Sequence, residues 1–209
     1  VWAPTAFKDA NGTTIPALTA TRINPLTGLS TTRQVVLTGA PITGVATYDA
    51  VEAIYDPGTK RAAVVVAGRA TSNGKVRSFL SFSRLHPDQG ASSAPGAIAV
   101  VELTAGQGAI QAFRIARLPN SDRFLLVWAA PGSTVLKAIR IAPKDDFTFS
   151  VTTIGAIASN FVSHPIATGV DSSGGLSELV VDPSGTRYSL AYEGVGTLNL
   201  LTAAMPPAN

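Results

Sequence analysis

Short apolar runs broken by turn residues fill the chain from residue 51 onward, and they alternate with a period of two. Val76, Ser78, Leu80 and Phe82 alternate with Arg77, Phe79 and Ser81, and Phe147, Phe149 and Val151 alternate with Thr148, Ser150 and Thr152. A period of two places successive side chains on opposite faces of an extended strand. The continuous run Val64-Val65-Val66 reads as a strand buried on both faces. Gln107–Ile115 comes nearest to a helical pattern, but its β-branched neighbours and its place in the repeat described next make it a strand. The pattern predicts strands over 51–55, 61–67, 76–83 and 97–103, then 110–115, 123–129, 134–141 and 147–154, and finally 176–181, 186–192 and 196–203.

Three of these strand pairs share one turn. Tyr55-Asp56-Pro57-Gly58-Thr59-Lys60-Arg61, Arg117-Leu118-Pro119-Asn120-Ser121-Asp122-Arg123 and Val181-Asp182-Pro183-Ser184-Gly185-Thr186-Arg187 each place an arginine four residues after a turn proline, at the start of an apolar strand. The prolines stand 62 and 64 residues apart, and the arginines keep the same spacings. A period of this length indicates an array of similar supersecondary units. The expected fold is therefore all-β: about three repeated four-stranded antiparallel units, over 46–104, 105–160 and 161–204, within a repeat domain spanning 34–209. Such units resemble β-propeller blades or the sheets of a prism, with a β-sandwich as the alternative. The third unit has three predicted strands where the others have four. Residues 1–33, rich in Thr, Pro and Ala with turn signals at Asn11-Gly12 and Asn24-Pro25, read as an extended N-terminal arm. A short strand at 34–38 stands alone and is a candidate for the missing edge.

Composition narrows the partners more than the fold. Charged residues make up only 14% against 45% apolar, well under the roughly 25% charged usual for soluble domains. The longest purely apolar stretch, Phe124–Ala130, is far shorter than the ~20 residues of a membrane helix, so no membrane span is expected. With no cysteine there is neither a disulfide nor a thiolate metal site. The net charge of +3 is scattered: Arg61, Arg69, Lys75, Arg77 and Arg84 form the densest group, flanked by Asp56 and Asp88. Phe79 and Phe82 within it fit core packing better than base stacking, so no nucleic-acid partner is expected.

Candidate chemistry is sparse. His86 and His164 both precede proline, which holds them in extended backbone, and neither has a nucleophile and carboxylate arranged around it. Glu52 and Glu178 occupy similar first-strand positions in units one and three, but paired carboxylates for glycoside chemistry are not evident in the spacing. No Gly-x-Ser-x-Gly elbow, calcium loop or phosphate-cradling glycine run occurs. No catalytic residue, metal or cofactor is expected. As binding candidates there remain the three repeated arginines, Arg61, Arg123 and Arg187, read first as scaffold, and the same-face pair Tyr188 and Tyr192, which could offer an aromatic platform to a sugar.

The expected function is that of a non-catalytic structural or interaction protein whose partners are other proteins or copies of itself. An assembly or accessory component of an extracellular or viral particle, such as a bacteriophage virion protein, fits this description. A secreted carbohydrate-binding or carbohydrate-processing β-propeller-like protein, with glycans as partners, is the alternative.

Overall fold

The computed structural model describes residues 2–8, 12, 14–23, 26–28, 30–38, 42–86, 90–91, 96–103, 108–110, 112–144, 148–163 and 174–205. The described residues form strands and turns with no helix, so the all-β expectation holds. Strands β1 (Trp2–Lys8), β2 (Thr14–Ile23) and β3 (Ser30–Thr38) make an antiparallel sheet in the order β1-β2-β3. The segment expected as an extended arm is thus mostly paired strand. The lone strand at 34–38 belongs to β3, where Leu37 pairs with Leu18 and Gln34 with Ala20, and so pairs with β2.

The repeat follows. In unit one, β4 (Val45–Asp56), β5 (Arg61–Ser72) and β6 (Lys75–His86) form a meander. The far side of β6 is shared by β7 (Gly90–Ala91) and β8 (Gly96–Glu102). Unit two is β9 (Phe113–Arg117), β10 (Phe124–Ala129), β11 (Leu136–Pro143) and β12 (Phe149–Ala158), paired in that order. Unit three has β13 (Val180–Val181), β14 (Arg187–Gly194) and β15 (Thr197–Ala204), with no fourth strand among the described residues.

Local chemistry explains the turns. Ser72 pairs with Lys75 across Asn73-Gly74, both at positive φ (50° and 73°). That is the two-residue turn whose twist matches a hairpin, and Asn-Gly is the pair that reaches it at least cost. The Pro-x-x-x-Arg spacing has an equally direct origin. The residue before each proline pairs with the arginine: Asp56 with Arg61 in the ladder, the Leu118 amide with the Arg123 carbonyl at 2.8 Å, and the Asp182 amide with the Arg187 carbonyl at 3.0 Å. Each loop therefore contains four residues, opened by a proline already set for a turn.

Packing follows the period of two counted from each arginine. In unit two, the first, third and fifth residues after Arg123 are Phe124, Leu126 and Trp128. They share a core with Ala63, Val65 and Ala67 of unit one, the second, fourth and sixth after Arg61. The second, fourth and sixth after Arg123, namely Leu125, Val127 and Ala129, share a core with Tyr188, Leu190 and Tyr192, the first, third and fifth after Arg187. Unit two is thus packed between units one and three, and every junction uses the same two sets of positions. Phe82 packs against Phe124 at a tilt and against Phe149 edge-to-face (ring centroids 5.5 and 5.3 Å apart) in the first junction. Phe161 meets Tyr192 at 6.5 Å in the second. Burial of each such large side chain stabilises the fold by roughly 1.5–3 kcal/mol.

Candidate interaction surface

The first strands of the three units lie side by side, β9 between β4 and β13. Arg114 on β9 ties them together: Nη1 is 3.5 Å from Glu52 Oε2, Nε donates to the Ser177 carbonyl at 3.1 Å, and Nη2 donates to the Leu176 carbonyl at 3.3 Å. The Ile115 amide donates to Glu52 Oε1 at 3.3 Å. Glu52, a carboxylate candidate from its position, is thereby occupied as an inter-unit bridge, while Glu178 is exposed. Arg114 carried no motif; what places it is its position on the central unit's inner strand, which only the assembled units reveal.

The turns form a second line of contact. Asp56 is 1% exposed. It accepts from the Gly58 amide (3.0 Å) and the Thr59 hydroxyl (2.7 Å), and its Oδ1 lies 2.8 Å from Arg117 Nε. Burial pushes this carboxyl up, but the Thr59 hydroxyl, the Gly58 amide and the Arg117 charge together hold it below the usual range. The third loop solves the same problem in the open. Asp182 accepts from the Arg187 amide (3.0 Å), the Ser184 hydroxyl (2.7 Å) and the Thr186 amide (2.8 Å), which lower its pKa to about 2. The middle loop has Leu118 in place of the aspartate, and Ser121 Oγ takes over, accepting from the Arg123 amide at 3.2 Å.

The structure separates the five candidate binding residues. Arg61 and Arg123 are half-buried, and Arg187 is exposed. By parity all three arginines face toward the following unit, and only Arg187 has no such unit beyond it among the described residues. Tyr188 and Tyr192 are 2% and 8% exposed. They are filled into the second junction, burial pushes the Tyr188 phenol up, and the Tyr192 hydroxyl donates to Asn160 Oδ1 at 2.7 Å. Their ring faces contact protein, so they offer no platform to a sugar. His164 and the side chain of His86 lie outside the described residues, as do Asp9, Asp145, Asp146 and Asp171. Among the described residues no cluster of three His, Cys, Asp or Glu side chains gathers.

One surface remains that the sequence signals only by its missing strand. The outward face of unit three carries Val180 on β13, Arg187, Ser189, Ala191 and Glu193 on β14, and Leu198, Leu200, Thr202 and Ala204 on β15. Leu198 and Leu200 are 82% and 74% exposed, and Val180 is 55% exposed. The opposite parity of β15, Leu201 and Ala203, packs into the second junction. Ala191 pairs with Leu200, and Glu193 with Leu198. At the hairpin end, Glu193, Gly196, Thr197 and Leu198 line a shallow depression of about 330 Å³. No family model, curated protein or solved structure matches this chain.

Proposed function

We propose that this protein is a non-catalytic interaction module that joins a protein partner through the outward face of its third unit. A component of an extracellular or viral particle, assembled by packing sheet on sheet, is the setting this reading favours. The observation that carries it is the repetition of one junction. Positions that hold the next unit in units one and two are left open in unit three, and its neighbouring strand β15 places Leu198 and Leu200 in solvent. On this face β14 is polar at Ser189 and Glu193, while β15 carries leucines, and exposed apolar patches of this kind mark interaction sites. Among the described residues no strand pairs with the outer edge of β15, which adds a sheet edge to the same region.

The absence of cysteine allows a direct test. A Leu200→Cys variant carrying a benzophenone maleimide, returned to the fraction from which the protein is purified and irradiated, gives a discrete protein adduct. An identically labelled Lys60→Cys variant, placed on the exposed first turn, gives none. Equal cross-linking from both positions, or none from position 200, overturns the proposal.

A further inference from the structure

We infer that the occupant of this face is a second copy of the chain, packed about a two-fold axis so that Arg187 of each copy meets Glu193 of the other. The inference rests on the docking reading above and names its partner.

Two relationships lead to it. The first is which surfaces the repeated junction leaves available. A copy added head to tail would have to offer its own Ala62, Val64 and Val66 positions, the set equivalent to Phe124, Leu126 and Trp128. Val64 and Val66 are 0% and 1% exposed, so that set is already covered within the chain. Stacking in one direction is closed at that end, and the open set of each copy can meet only the open set of another. An interface made from the same patch on both partners is isologous and closes as a dimer.

The second is the order of charge along β14. Arg187 opens the strand and Glu193 lies six residues later on the same face, both exposed, with Ser189 and Ala191 between them. At about 3.4 Å per residue the two charges stand about 20 Å apart. A two-fold axis through the middle of the face runs the two β14 strands in opposite directions. It sets Arg187 over the partner's Glu193, and Ser189 over the partner's Ala191. Opposite charges then fall at both ends of the contact by symmetry, while on β15 Leu198 falls over the partner's Ala204 and Leu200 over the partner's Thr202. Aligned sheet packing, about 10 Å between sheets, accommodates this arrangement. A parallel overlay would set arginine over arginine, so the charge order selects both register and direction.

Sedimentation velocity over a wide loading range tests it. The wild-type chain sediments as a dimer that dissociates on dilution. Arg187→Glu and Glu193→Arg, each of which creates like-charge contacts at both ends, weaken association by about tenfold or more. The double swap Arg187→Glu/Glu193→Arg restores association, which also shows that neither single variant failed through misfolding. A wild-type chain that stays monomeric at every loading, or a dimer indifferent to the single swaps, overturns the second-copy occupant. The broader docking reading fails separately, when cross-linking from position 200 captures no protein at all.

Discussion

Arg114 Nη1 lies 3.5 Å from Glu52 Oε2, and this contact joins the innermost strand of unit two to that of unit one. The same guanidinium donates to carbonyls of Leu176 and Ser177 in unit three, so one side chain spans all three repeats. Both side chains are only partly exposed, and replacing Arg114 takes its guanidinium away from Glu52 and from the Leu176 and Ser177 carbonyls. Arg114→Ala is expected to lower the free energy of unfolding by about 2 kcal/mol in urea titrations. Arg114→Lys recovers only part of this, because an ammonium cannot reach three acceptors with a fixed fork.

The parity of packing gives a sharper test in neighbouring residues. Leu125 and Leu126 are both 0% exposed, yet they belong to different junctions. Leu125→Ala and Leu126→Ala should each cost about 2–5 kcal/mol. Ser189, equivalent to Leu125 by its distance from the repeat arginine, faces outward, and Ser189→Ala should change stability by less than about 0.5 kcal/mol. Equal sensitivity at Leu125 and Ser189 would contradict the assignment of the outward face.

Close approach of backbone and ring makes Gly68 indispensable. A Cβ there would sit 2.5 Å from Phe79 Cζ and 2.6 Å from the Thr47 carbonyl oxygen. Phe79 is fully buried and the Thr47 oxygen is backbone, so neither yields without moving the sheet. Gly68→Ala is expected to destabilise the fold by about 1–3 kcal/mol, measured by thermal or urea unfolding.

Acid should weaken the third turn, and only at low pH. The pKa of Asp182 is lowered to about 2 by donors from Arg187, Ser184 and Thr186, against about 3.9 for an unperturbed aspartate. A depressed folded-state pKa means that the carboxylate contributes stability above pH ~4 and that this contribution disappears as pH falls toward 2. NMR titration of the Asp182 carboxyl should show the low midpoint. In Asp182→Asn the turn amides of Thr186 and Arg187 should exchange faster at neutral pH, and the acid dependence of that exchange should be lost.

How far the sequence anticipates this arrangement depends on the kind of interaction. Alternation of apolar and polar residues and the turn chemistry of Asn73-Gly74 and Pro57, Pro119 and Pro183 act over a few residues, so the strands and the repeat were legible. Strand ends were less so. β9 begins at Phe113, where the reading placed 110, because pairing of Phe113 with Trp128 decides its start. β13 shrinks to Val180–Val181, with Leu176 held by a single bridge to Tyr192. Arg114 was invisible because its partners lie 62 or 63 residues away, in two other units. Tyr188 and Tyr192 share one face, as their spacing shows, but which face was buried depended on where unit two packed. Arg187 repeats Arg61 and Arg123 in sequence and differs from them only because nothing among the described residues packs beyond it.

The reactivity of a single thiol at position 200 reports most directly on whether the outward face of unit three is a joining surface. In a Leu200→Cys variant, whose thiol is the only one in the chain, maleimide labelling should be fast in dilute solution and should slow as protein concentration rises, with half-protection near the dimer dissociation constant. A labelling rate that stays constant across concentrations and in the presence of the source fraction would contradict the account.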